Sequence, residues 1–427
     1  MKIRTGRGVA ATMLIGALVL SGCSNGGTAA APAANGTVGG TLTGVFDAAY
    51  KQALDPAAQA FQEEHPGVKV EINYAGGDVA GLISTQLQAG TAPDLLLTFP
   101  GGSPGNGGNV NVVTMASQNR LLDLSDSSWA SAVPKKWSPD VTYQGKTYAY
   151  PGAVQGLGAV YNQTKLDQLK LSIPQTMTEV LDLCAAAKRA GIYAYAQGLG
   201  DVSAGPQMLS FAQTGTLVYG PNPEFTQQQL DSKATFQDSA WKQQFDLYKK
   251  MHDAGCFGDG ALGRTRQQGG DAVAAGRALG VVDVGAVMGT LQKTAPRSKF
   301  ALAAMPATDN PADTYMPALP GYTLAVNAKA KNPATAKAFL EFLAQPDNIN
   351  HYAAEFGSVP AIPNDQFKPP AELYQFEKLV ASGKFSTLPT WPNPVVQTTL
   401  NKVVQSMLLG DDSPESALKK MQDALAG

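Results

Sequence analysis

The stretch Thr98–Gly108 reads TFPGGSPGNGG, and Gly101-Gly-Ser-Pro-Gly105 within it matches the G-x-S-x-G pattern that carries the nucleophile of many serine hydrolases. Such an elbow takes half of its oxyanion hole from the backbone N–H after the serine. Here that residue is Pro104, which has no N–H. Gly101, Gly102, Gly105, Gly107 and Gly108 also make the loop too permissive to hold one strained serine in a fixed pose. The three histidines do not offer a base: His65 lies in a helix-ending loop, and His252 and His351 fall in helical contexts. Ser103 is therefore read as part of a loop that presents hydroxyls and backbone groups to a ligand, with an exported serine hydrolase as the remote alternative. No Cys/His spacing matches a zinc site, no carboxylate pair is identifiable as catalytic, and Gly156-Leu-Gly158 lacks the third glycine of a dinucleotide motif. The expectation is a binding protein, not an enzyme, with no metal and no cofactor.

The elements that hold such a loop follow from length and patterning. A chain of 427 residues predicts two domains. With 15% charged residues, a formal charge of −2 and no Lys/Arg cluster, a nucleic-acid partner is not expected. Residues 1–22 pair a positive start (Lys2, Arg4, Arg7) with the short apolar run Val9–Leu20, the pattern of an export signal. The run ends in Leu20-Ser21-Gly22-Cys23, which resembles the bacterial lipobox, and the cysteine of that motif carries the lipid; the alternative is an ordinary signal peptide with a chance cysteine. Residues 24–40 have no charge and little to bury, as in a flexible tether. The expected location is the extracytoplasmic face of the cell membrane, with the body held by its lipid. Two thiols remain in this exported chain, Cys184 and Cys256, and a disulfide between them is expected, against two unpaired buried thiols.

Thr41–Phe46 reads as a strand, and Asp55-Pro56 as the start of a helix that His65-Pro66-Gly67 ends. Val68, Val70, Ile72 and Tyr74 alternate with polar residues, as in a half-buried strand. A helix over Leu82–Leu87 and the continuous apolar run LLLTF after Asp94 complete an α/β pattern with a parallel sheet. Thr176-x-x-Glu179 opens a helix with Val180, Leu183, Cys184 and Ala187 on one face. Asn332-Pro333, Asn393-Pro394 and Ser413-Pro414 open three more.

Five segments, in this order, resemble family 1 extracellular solute-binding proteins, the sugar-capturing subunits of ABC importers that include maltose-binding-protein-like receptors. They are Phe61–Ile72, Leu87–Leu97, Tyr148–Leu169, Gly321–Asp347 and Phe356–Ala361. The resemblance implies two α/β lobes joined by a hinge that the chain crosses near Pro151-Gly152, near Pro320 to Ala325 and near Asn364 to Pro370. The lobes would then comprise residues 41–151 with 323–365, and 152–322 with 366–427. It implies a monomer that captures a mono- or oligosaccharide in the cleft and delivers it to permease subunits. A glycerophosphodiester, polyamine or peptide on the same fold is the alternative.

A sugar site needs aromatic faces and hydrogen-bonding side chains, and charged acceptors bond hydroxyls more strongly than neutral ones. By the resemblance, Asp47 follows the first strand as a cleft residue or a helix N-cap. Phe99 ends the LLLTF strand as a stacking aromatic or a core residue. Gln155 lies past the first crossing, where some relatives carry an acid. Asp283, in Val281-Val-Asp-Val-Gly285, faces the cleft near a point where relatives often place a tryptophan that this chain lacks. Tyr322 flanks the return crossing, and Asp201 is a further candidate. Trp391, bracketed by prolines in Leu388–Pro394, stands where the family commonly places a stacking aromatic, against surface packing. Trp129 and Trp137 are read as lobe packing or cleft rim.

Overall fold

A computed structural model describes residues 36–426 apart from residues 77, 103–108 and 203. The signal peptide, Cys23, most of the tether and Ser103 lie outside the described residues. The strands in chain order are β1 (Gly40–Asp47), β2 (Val68–Ala75), β3 (Leu95–Thr98), β4 (Thr142–Tyr143), β5 (Lys146–Thr147), β6 (Ala149–Tyr150) and β7 (Ala153–Asn162). After them come β8 (Tyr193–Tyr195), β9 (Ala278–Val284), β10 (Phe300–Ala303), β11 (Met316–Pro320), β12 (Thr323–Val326), β13 (Val359–Pro360) and β14 (Phe385–Ser386).

Among the described residues these strands form two main sheets flanked by helices, the two-lobed α/β architecture, plus the β4–β5 hairpin. The first sheet runs β2-β1-β3-β12-β6. Its β1, β2 and β3 are parallel, while β12 is antiparallel to β3 and β6. The second runs β14-β11-β7-β9-β8, with β10 and β13 also on β7. The chain passes between the sheets at Pro151-Gly152 and again at Gly321-Tyr322. It returns through β13, where Val359 pairs with Val154.

Local chemistry accounts for these elements. Leu95, Leu96 and Leu97 are fully buried because helices cover both faces of β3, and each contributes about 1.5–3 kcal/mol. In β2 the partly buried Val70, Ile72 and Tyr74 alternate with the exposed Lys69, Glu71 and Asn73. Thr176 caps the helix Met177–Arg189 by accepting the Glu179 N–H. The Glu179 carboxylate, however, accepts from the Gln175 N–H and not from the cap residue. Asp55-Pro56 does not start a helix: a 3-10 turn at Ala48–Tyr50 leads directly into the helix Lys51–Glu64, with Pro56 inside it. The lost N–H at Pro56 is accompanied by an i,i+4 pair from Lys51 to Asp55 at 2.5 Å.

Cys184, on the buried face of its helix, is bonded to Cys256, with Cα atoms 4.7 Å apart. The bond ties that helix to the turn after the helix Trp241–Asp253, beside β8, where Tyr195 donates its N–H to the Cys256 carbonyl.

Candidate functional site

In the first sheet the carboxyl ends of β1, β2 and β3 and the start of β12 share one edge, with Asp47 opposite Ala75 and Thr98 opposite Thr323. In the second, the start of β7 and the ends of β8 and β9 share one edge, with Leu157 opposite Val284. The two chain passages join these edges, so residues at them face a common cleft. Ligands of open α/β sheets bind at such strand ends.

The first-lobe edge carries an aromatic wall. Tyr322 packs edge-on against Phe99 at 4.8 Å and lies 5.4 Å from Tyr50, which contacts Phe356 at 4.3 Å. The Tyr50 hydroxyl accepts the Tyr322 N–H at 3.0 Å and fixes the passage. Burial, and after it the Asp47 carboxylate, holds the Tyr322 phenol above its ordinary pKa, and Asp47 ends β1 at this same edge. A Cβ added at Gly321 would stand 2.8 Å from the Tyr50 hydroxyl and 3.7 Å from Gln155 Nε2, so both lobes converge on this glycine. Asp47, Phe99, Tyr322 and Gln155 are thus gathered at one place. Tyr50 joins them from a segment that no sequence pattern marked, and Phe356 from the start of the Phe356–Ala361 segment.

The second-lobe edge differs from expectation. Asp283, next to last in β9, does not present its carboxylate to a solute: it is 4% exposed. It accepts from Arg266 Nε at 3.1 Å, from Arg266 Nη2 at 2.5 Å and from the Val284 N–H at 2.7 Å. Flanking valines signalled a polar role, and the role is to anchor an arginine. Arg266 is the first residue of the helix Arg266–Ala274, set there by a Thr265/Gln268 capping box. Its side chain remains 34% exposed. Burial opposes its charge, but the Asp283 hydrogen bonds and charge, with Asp201 adding to them, raise its pKa above the ordinary value. Asp201 lies in the loop after β8, three residues beyond Gly198, which packs against the Arg266 backbone.

Trp391 is not at the cleft. It is 3% exposed, amid Phe236 at 5.7 Å, Trp241 at 6.1 Å and Phe211 at 6.2 Å, and its Nε1–H donates to Gln229 Oε1 at 3.3 Å. A large ring gains most by burial, and the prolines direct it into the helical core of the second lobe. Trp129 packs on Tyr150 at 4.9 Å, and Trp137 stacks on Phe385 at 4.8 Å. Near the loop that carries Ser103, the Gly101 N–H donates to the Asp140 carbonyl, and burial pushes the Asp140 carboxyl up to about 7. Among the described residues no cluster of His, Cys, Asp and Glu could hold a metal ion, and no helix is long and apolar enough to cross a membrane.

Two α/β lobes with a polar and aromatic cleft between them define a solute receptor. The model of the bacterial extracellular solute-binding protein family matches residues 42–349, and the chain belongs to that family. It is 24% identical over 315 residues to the melibiose/raffinose/stachyose-binding protein MelE of Bacillus subtilis (strain 168), covering 71% of this chain and 69% of that protein. The fold is similar to SBP RafE in complex with raffinose, with a TM-score of 0.71 and 16% identity over 90% of this chain and 98% of the other. It is equally similar to apo RafE from Streptococcus pneumoniae, with a TM-score of 0.73 and 17% identity over 92% of this chain and 98% of the other.

Proposed function

We propose that this chain is the lipid-anchored receptor of an ABC importer and that it captures a short oligosaccharide between its lobes. The observation that carries this reading is the aromatic wall of Tyr322 and Phe99 beside Asp47, with Gln155 reaching the same glycine from the other lobe. Ring faces suit the C–H surfaces of a sugar, and Asp47 and Gln155 suit its hydroxyls. The sugars bound by MelE and RafE make melibiose, raffinose and stachyose the first solutes to test. Closure on the ligand stabilises its ground state, so the chain releases sugars unchanged. Cys23 carries the lipid on the extracytoplasmic face, the body acts as a monomer, and permease subunits receive the closed form.

A thermal-shift screen of the soluble body, residues 36–427, against these sugars, maltotriose, glycerophosphocholine, spermidine and a tripeptide tests the reading. A sugar at a hundred times its Kd adds about 2.7 kcal/mol of stability. Shifts confined to the phosphodiester, polyamine or peptide would overturn the sugar assignment. Separately, labelled palmitate should be incorporated by the wild type in cells and not by Cys23→Ser.

A further inference from the structure

The second-lobe edge places an arginine where the sequence suggested an acid. Asp283 engages Arg266 through Nε and Nη2 only. A guanidinium has five N–H donors, so three remain, on a side chain that is 34% exposed at the carboxyl end of β9. The remaining donors need acceptor oxygens. The pair itself is neutral, because the carboxylate and the guanidinium cancel. Gly198, three residues before Asp201, packs against the Arg266 backbone, and Asp47 ends β1 at the cleft edge of the facing lobe. Counting these four groups, the cleft carries more negative than positive charge. A solute bearing its own anion meets Asp47 and Asp201, while an uncharged hydroxyl or ring oxygen accepts from Arg266 without that repulsion.

We infer that Arg266 is the residue through which the second lobe recognises solute oxygens, that Asp283 positions it, and that the site selects an uncharged sugar over a sugar acid. This deepens the reading given under Proposed function and rests on it. Asp283 gives the guanidinium one orientation, and lysine cannot reproduce the two-point attachment to it.

The test is calorimetric titration of the full body, residues 36–427, as wild type, Arg266→Lys, Arg266→Met and Asp283→Asn. Raffinose, stachyose, melibiose, N,N′-diacetylchitobiose and digalacturonate are the probes, with the unliganded melting temperature of each variant as the folding control. Loss of a charge-assisted hydrogen bond predicts that the sugar bound by wild type is held about 10- to 100-fold more weakly by both Arg266 variants. Asp283→Asn leaves a cation without its counter-charge, so digalacturonate, weak on wild type, gains affinity relative to the neutral sugar. A merely structural Asp283 would not produce that reversal. A neutral sugar bound equally by wild type and Arg266→Met overturns the inference and leaves the sugar-receptor reading standing. Digalacturonate preferred by wild type overturns the selectivity for uncharged sugars. If none of the five binds wild type, the sugar reading fails and this inference fails with it.

Discussion

Replacing Trp391 with alanine separates a core residue from a ligand-stacking one. The ring is 3% exposed and surrounded by Phe211, Phe236 and Trp241, so truncation leaves a cavity among helices that cannot collapse freely. Such substitutions cost about 3–5 kcal/mol. Trp391→Phe keeps most of the volume but removes the Nε1–H that Gln229 Oε1 accepts. Gln229 is buried and its Nε2 already lacks a partner among the described residues, so stranding the oxygen as well costs about 1–3 kcal/mol. Urea unfolding monitored by circular dichroism measures both variants. The alanine variant should show a lower midpoint with unchanged slope, and a melting temperature lower by roughly 6–20 °C. Its affinity for sugar, measured where it is still folded, should stay within about twofold of wild type, because the ring does not reach the cleft edge. Unchanged stability with lost sugar affinity would refute the core assignment and return Trp391 to the cleft.

Reduction of the Cys184–Cys256 bond, or its replacement by Cys184→Ser with Cys256→Ser, releases a constraint spanning 72 residues and should lower stability by about 4 kcal/mol in the chain-entropy account. Identical urea midpoints with and without reductant would contradict this. Asp140 is raised to about 7 by burial, so the folded protein holds a proton that the unfolded chain releases near pH 4, as a free carboxyl does. The stability from that proton is complete below about pH 4 and is lost as the pH rises through about 7. Asp140→Asn should therefore match wild type near pH 4 and melt higher at pH 8; an equal difference at both values would rule out the titration. Tyr322→Ala removes a ring from the aromatic wall and should weaken sugar binding by about tenfold or more in calorimetry. An unaltered Kd would exclude Tyr322 from the site.

The fold was legible wherever patterning was local. The alternation Val68, Val70, Ile72, Tyr74 and the run Leu95–Leu97 read directly as strands, and Thr176 as a helix cap. Asp55-Pro56 misled because the helix is nucleated earlier, by the turn at Ala48–Tyr50, and absorbs the proline. The site was legible in part. Of the candidate residues, Asp47, Phe99, Gln155 and Tyr322 lie together: Asp47 ends β1, Phe99 follows β3, Tyr322 precedes β12 and Gln155 is near the start of β7. Arg266 was not, since its position depends on how a helix start meets the end of β9, a register that no local pattern records. Nor was the burial of Trp391, whose partners Phe211, Phe236 and Trp241 are supplied by segments at least 150 residues away in sequence, an order-of-magnitude separation no short-range pattern spans.

A crystal structure of the body bound to the neutral sugar that shifts its melting temperature most would test the central claim most directly. The account predicts one sugar between the lobes, a ring face against Tyr322 or Phe99, and a sugar oxygen within hydrogen-bond reach of Arg266. A sugar bound outside the cleft, or within it but touching neither Tyr322 nor Arg266, would contradict the account.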